Sequence, residues 1–338
     1  MQPGISTYVF IQHRLHPGLL DALAAAGAQT GGSMTIEVFA ARHHFDYTDA
    51  PAVRELAAWF RSNDVRAVLH QPIYISEGGR DFSSADASQW SRHVAPNLDL
   101  IAAEKSHRIA AMDEVKRAIE SAEQVPFTAA VLHLGLKDAA WDEPALEHSL
   151  TAIEHLKAFA APLGVRLLLQ NLQNEVATPE HLLTILKTGH FDTVGVCLDV
   201  GHLHLAQDFS TASDSGAPSM AASSGVPSER SLLAGVGSPW VGSAVELLGS
   251  RIAQVHLHDN HGAFAHVTDS KDEHLWPGLG SIDWPSVSSA LATLPAATPG
   301  ILEIAGDRDE RAESVTRKAE SAFRALTNPQ STRTSQSM

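Results

Sequence analysis

The chain has 338 residues, of which 44% are hydrophobic and 19% charged, a globular balance that excludes a wholly disordered protein. With 24 Lys+Arg against 39 Asp+Glu the formal net charge is −15, and without a basic run this argues against a protein built to grip nucleic acid. One cysteine, Cys197, excludes an internal disulfide and fits a reducing, cytoplasmic setting. The first residues lack the pattern of a signal peptide, and no run of 18 apolar residues is present to span a membrane.

Short apolar runs alternate with helical patterns along the whole chain. Strands are predicted at Ile5–Ile11, Thr35–Ala40, Ala67–His70, Thr128–His133, Arg166–Asn171, Val194–Asp199, Ile252–His256 and Ile301–Ile304. Several, such as VRLLLQ and VGVCLD, are apolar almost throughout, as parallel strands covered on both faces must be. Helices are predicted between them. Pro17 to Ala26 starts on proline and stops at Gly27, Leu146–Ala160 repeats its leucines and Ile153 at helical spacing, and Glu310–Leu326 closes the chain. Eight strands each followed by a helix predict one (β/α)8 TIM barrel over residues 1–326, with a doubly wound open sheet as the other arrangement. Residues 209–240, rich in Ser, Ala, Gly and Pro, read as a mobile insertion after the sixth strand, and 327–338 as a disordered tail. Gly31-Gly32-Ser33-Met34 reads either as a loop or as a cloning remnant.

The 19 histidines matter through their positions. His70 ends the third strand, His133 the fourth, Gln170 and Asn171 the fifth, Asp199 and then His202 the sixth, His256 the seventh, and Glu303 the eighth. In a barrel all these ends open on one rim. Any one of them has an ordinary structural explanation, but separate packing needs would not put four imidazoles and two carboxylates together. A divalent metal explains the convergence, and mixed nitrogen and oxygen ligands suit Zn, Mn, Fe or Co better than Ca or Mg. The loop Lys271-Asp272-Glu273-His274 adds Asp272 and His274, with His202 as a third ligand beside them. His43, His44, His258, His261 and His266 are weaker candidates.

CLDVGH, VHLHDN and KDEHLWPGLGSIDW, together with the strand-end histidines and Glu303, resemble the xylose-isomerase-like TIM barrels, a superfamily of sugar and sugar-phosphate isomerases and epimerases that includes the endonuclease IV type of nuclease. The resemblance implies two ligand schemes. In the nuclease-like branch His70, His133, Asp199, His202, His256, Asp272, His274 and Glu303 match eight of nine ligands for three metals. In the isomerase branch one metal is held by a Glu on the fifth strand with Asp199, His256 and Glu303, and two glutamates act as acid and base. This chain has Gln170 where both schemes have Glu. A carboxamide ligates through oxygen but shuttles no proton, which leaves a one-base site.

The resemblance therefore implies a divalent-metal-dependent sugar or sugar-phosphate isomerase or epimerase. Mn or Zn is the expected metal, with Co and Fe as further options. Glu303 is the expected base and His202 or His133 the donor to the developing oxyanion of an enediolate. Asn171, His258, Lys271 and Trp276 are the substrate-binding candidates, and a homodimer is a further expectation. The alternative is a small-molecule metallohydrolase or lyase with a multinuclear site. Only Arg42, Arg80, Arg251 and Lys271 sit in segments near the rim, too few for a nuclease's basic crescent.

Overall fold

The computed structural model describes residues 1–28, 33–74, 97–212, 239–262 and 272–327. Eight parallel strands close into a barrel in sequence order: β1 Gln2–Ser6, β2 Met34–Phe39, β3 Val65–His70, β4 Phe127–Leu132, β5 Arg166–Gln170, β6 Gly195–Asp199, β7 Ile252–Leu257 and β8 Pro299–Leu302. The last strand pairs with the first through Gln2↔Pro299 to Ile5↔Leu302, which excludes the open sheet. The helices are α1 Pro17–Ala28, α2 Ala50–Ser62, α3 Lys105–Glu120, α4 Glu143–Ala160, α5 Pro179–Thr188, α6 Val200–Ala212, α7 Pro239–Leu248, α8 Trp284–Leu291 and α9 Ala312–Thr327.

Local chemistry sets the helix starts. Asp142 caps α4 by accepting from the Ala145 N–H at 2.8 Å, and Thr178 caps α5 by accepting from the His181 N–H at 3.2 Å, each ahead of a proline in the first turn.

Two expectations need correcting. The first strand ends at Ser6 rather than Ile11, because the Ser6 hydroxyl accepts from the Tyr8 N–H and turns Thr7–Phe10 into a 3-10 helix. Gly27 does not stop α1. It lies inside the helix, where a Cβ would come within 2.0 Å of Met34 Sδ, so the glycine serves a close helix–strand approach. The segment 209–240 is helical at both ends, in α6 and α7, and residues 213–238 lie outside the described residues, as do 328–338 of the tail and Gly31-Gly32.

Most of the apolar core fills the layer between barrel and helices, while a smaller cluster of Val68, Ala129, Val131, Leu168 and Cys197 fills the barrel itself. The strand's two-residue period carries that interior row upward. Val68 is followed by His70, Val131 by His133, Leu168 by Gln170, and Cys197 by Asp199. An apolar plug therefore becomes a polar site within two residues along each strand.

Candidate metal centre

Above the plug the strand ends bring together every polar residue that the pattern singled out there. Asp199 lies between two groups. Its Oδ2 accepts from Gln170 Nε2 at 2.8 Å and is 3.5 Å from His256 Nδ1. Its Oδ1 faces His258 Nε2 at 2.9 Å and accepts from the His202 N–H at 2.8 Å. On one side, Glu303 Oε2 is 3.1 Å from His256 Nδ1, and Glu303 Oε1 is 3.7 Å from His70 Nε2. On the other side, Asp272 Oδ2 is 3.0 Å from His202 Nε2 and 3.2 Å from His274 Nε2. His70 and His133 meet Nε2 to Nε2 at 3.1 Å, and His133 donates to Gln170 Oε1 at 3.0 Å.

Three of these histidines have their outer nitrogen engaged by a backbone carbonyl, which fixes the nitrogen that faces inward. His70 Nδ1 donates to the Gln71 carbonyl at 2.9 Å, His202 Nδ1 to Asn171 O at 3.0 Å, and His274 Nδ1 to Glu303 O at 2.9 Å. His70, His202 and His274 thus aim Nε2 into the site. His274 is held at φ 47°, a left-handed backbone that a β-carbon disfavours, and its position costs local strain.

Charge and burial act strongly on these groups. Burial opposes ionisation of Asp199 and Glu303, but the imidazoles of His202 and His258 around the first and of His256 and His274 around the second hold both carboxyls well below their ordinary range. Burial lowers His202 and His274, yet neighbouring carboxylates, Asp199 and Asp272 for the one and Asp272 for the other, overcome it and raise them to about 10 and about 9. His133 is pushed down to about 3 by burial and by His70 and His202 beside it, so it is a neutral ring.

Four ligand atoms of His202, His258, Asp272 and His274 lie within 4.8 Å of one another, as do three of Asp199, His258 and Glu303. Buried His256 Nδ1, His258 Nδ1, Asp272 Oδ1 and Glu303 Oε2 have no aligned hydrogen bond among the described residues. Unsatisfied donor and acceptor atoms converging in a buried pocket are costly unless something binds them. Three carboxylates and several imidazoles fit a divalent cation of the Zn, Mn, Co or Fe class.

The substrate-binding candidates divide. His258 is fully buried in the centre and stacks on His274 with centroids 3.9 Å apart. Asn171 uses both ends of its amide on the Asp199 backbone, at 2.7 and 3.0 Å, and so positions that strand end. Trp276 is not brought to the centre; it packs in the apolar core with the Lys318 ammonium 5.9 Å from its ring. Lys271, like Arg80 and His266, lies outside the described residues. His43 and His44 stay on the second loop, where His44 is buried with Nδ1 2.6 Å from the His13 carbonyl, and His261 pairs with Glu273 at 2.9 Å.

Sequence reasoning missed three residues. Glu37 is fully buried inside β2, with its Oε2 2.9 Å from His256 Nε2. Tyr8 follows β1 with its ring 5.2 Å from that of His274, and burial together with Glu303 and Asp272 pushes its phenol upward. Asp259 organises the loop behind His274. Its Oδ2 accepts from the Gly278 N–H and the Trp284 indole, each at 2.8 Å, and its backbone bridges to Leu275. That explains PGLGSIDW: Gly278 takes φ 91°, and at Gly280 a Cβ would lie 2.3 Å from Asp259 Oδ1.

The barrel and this rim of imidazoles and carboxylates define a class, and the comparisons agree with it. Residues 20–326 match the family model described as xylose isomerase-like TIM barrel, and the chain belongs to that family. Among curated proteins it is 30% identical over 123 residues to uncharacterized protein y4fM of Sinorhizobium fredii, and 25% identical over 206 residues to uncharacterized protein MJ1311 of Methanocaldococcus jannaschii. These matches cover 36% and 58% of this chain, and the chain spans only 27% and 58% of those relatives. Among solved structures it is similar to the IOLI protein with a bound zinc atom, at TM-score 0.66 and 17% identity, covering 97% of this chain and 99% of that one. It is also similar to a D-tagatose 3-epimerase-like protein, at TM-score 0.62 and 21% identity over 97% and 98% of the two chains. A D-psicose 3-epimerase solved in the presence of D-fructose gives 0.62 and 14% over 97% and 98%. Among the described residues no helix is long and apolar enough to cross a membrane.

Proposed function

We propose that this protein is a divalent-metal-dependent isomerase or epimerase of a small sugar or sugar phosphate, working with a single carboxylate base. The observation that carries the reading is that Asp199 Oδ2 and Glu303 Oε2 flank the buried His256 Nδ1 at 3.5 and 3.1 Å, with the neutral Gln170 amide on that same Asp199 oxygen. The printed names of the similar structures, a D-tagatose 3-epimerase-like protein and a D-psicose 3-epimerase, support a carbohydrate substrate. Asp199, His256 and Glu303 would hold the cation, while Gln170 presents its amide nitrogen to Asp199 and its carbonyl to His133, so it would have to turn over to add a ligand oxygen. A bound cation, Mn or Zn first, supplies Lewis-acid polarisation of a carbonyl and its neighbouring hydroxyl.

The chain's own residues do the rest. Glu303, held anionic, removes the proton from the carbon beside the carbonyl. His133 is neutral, and its Nε2 hydrogen, now on Gln170 Oε1, would turn to the oxygen that gains charge, with His202 as a second donor. Gln170 carries no proton that it can exchange, so the proton returns from Glu303 on the face it left. That geometry favours aldose–ketose isomerisation over inversion at one carbon.

The experiment is incubation with a panel of aldoses and ketoses in deuterated water with Mn or Zn. Deuterium is expected at the carbon next to the carbonyl, and no exchange with any sugar counts against the reading. A second reading, a small-molecule metallohydrolase or lyase, rests on the group of His202, His258, Asp272 and His274. Metal analysis separates the two: about one cation per chain supports the isomerase, and two or three support the hydrolase.

A further inference from the structure

His256 differs from the other inward-facing histidines in what holds it. His70, His202 and His274 each lean on a backbone carbonyl, whereas His256 turns Nε2 onto the carboxylate of Glu37, 2.9 Å away. Glu37 lies on β2, across the barrel interior from β7, and has no solvent exposure. Gln254, two residues before His256 and on the same face of β7, donates its amide to the same Oε2 at 2.6 Å, and that nitrogen lies 3.0 Å from His256 Nε2, so two donors crowd onto one Glu37 oxygen. A buried carboxylate is expensive to desolvate, and Glu37 Oε1 has no hydrogen-bond partner among the described residues.

From this geometry we infer that Glu37 is a positioning residue for the metal centre: it holds the His256 proton on Nε2 and leaves Nδ1 bare to bind the cation. Ligand atoms of Glu37, His256 and Glu303 also lie within 4.8 Å of one another, but the role inferred for Glu37 is at Nε2 and not on the cation. Glu37 sits against Nε2, while Asp199 and Glu303 gather at Nδ1, and the in-plane lone pairs of the two ring nitrogens diverge. The carboxylate also raises the basicity of the ring it touches, strengthening the bond that Nδ1 makes. Gln254 pins the carboxylate, since its amide gives Oε2 a second donor and keeps the oxygen aimed at the ring. The inference rests on the reading of the site as a metal centre, and the test separates the two.

The full chain is stripped of metal, and Zn and Co affinities are measured by competition with a chromogenic chelator for wild type, Glu37→Gln, Glu37→Asp and Gln254→Met. Folding is checked by circular dichroism. Wild type that binds neither ion overturns the metal reading itself. If wild type binds, Glu37→Gln is expected to weaken binding about 10–100-fold, with Glu37→Asp and Gln254→Met between it and wild type. Binding by folded Glu37→Gln within threefold of wild type overturns the inference. A second measurement needs no variant. In Zn-loaded wild type, nitrogen-15 NMR of the histidine rings is expected to show the His256 proton on Nε2 with a strongly hydrogen-bonded shift. A proton on Nδ1 overturns the inference, and a lowered melting temperature in Glu37→Gln with unchanged affinity assigns Glu37 a structural role only.

Discussion

Gln170 donates its side-chain amide to Asp199 Oδ2 at 2.8 Å, so the residue that stands in place of a family glutamate neutralises nothing yet satisfies its neighbour. Its carbonyl faces His133, which completes a bridge between two strand ends. In Gln170→Glu the donor becomes an acceptor, and two carboxylates meet in a buried space. The metal-free variant should lose about 1–3 kcal/mol of stability. A divalent cation should reverse the order, because the added charge gives it another ligand. Melting curves with chelator and with Mn check this, and an equal loss under both conditions would sink the argument.

Glu303→Gln keeps the shape and the backbone carbonyl that holds His274, but removes the base. Turnover of any substrate found by deuterium exchange should fall by about 10²–10⁴-fold with the circular dichroism spectrum unchanged. A variant that keeps near-full exchange would show that another group takes the proton.

The polar rim was legible because a parallel barrel advertises it: strands apolar throughout end abruptly in His70, His133, Asp199 or Glu303, and the topology sends those ends to one face. Glu37 was hidden because it falls inside the run MTIEVF, where one-dimensional pattern gives no sign that a carboxylate has a partner 219 residues away. The turn at Ser6 was hidden for the opposite reason, since TYVFI has strand composition and only the Ser6 hydroxyl breaks it. Trp276 packs in the core, which its place in the sequence did not show. It follows His274 by two residues, yet the bridge between Asp259 and Leu275 carries it into the apolar core.

At Gly201, in the first turn of α6, a Cβ would come within 2.1–2.5 Å of three atoms of the His258 ring. Gly201→Ala must displace that ring, and with it the 2.9 Å contact to Asp199 and the stack on His274. A loss of about 1–3 kcal/mol is expected, read as a lower urea midpoint. Any cation held by the His202, His258, Asp272 and His274 group should bind more weakly. Unchanged stability would mean that the helix start can shift at little cost.

Asp259→Ala should unfasten the loop without touching a candidate ligand. Four backbone or indole donors lose their acceptor, those of Asn260, Gly278, Ile282 and Trp284, and the Asp272–His274 segment is tethered through Leu275. Destabilisation on the order of 3 kcal/mol is expected, with a change in tryptophan fluorescence from Trp284. If metal affinity stays at the wild-type value while stability falls, the loop is not what holds His274 in place.

The metal-free protein should lose stability as the pH rises. His202 and His274 are raised from an unfolded value near 6.5 to about 10 and about 9 by the carboxylates beside them. A group raised on folding contributes fully below its unfolded pKa, and its contribution is lost as the pH climbs through the folded one. Asp272, held well below its ordinary value, has the opposite sign: its contribution is present above about pH 4 and fades only in acid. The melting temperature in chelator should therefore decline from about pH 7 toward pH 10. A divalent cation expels the same protons when it binds, so the stabilisation it gives should grow over that range. Parallel melting curves with and without Zn, taken at half-unit steps, test both statements at once. A gap between the curves that stays constant with pH would mean that these two histidines are not what the cation displaces protons from.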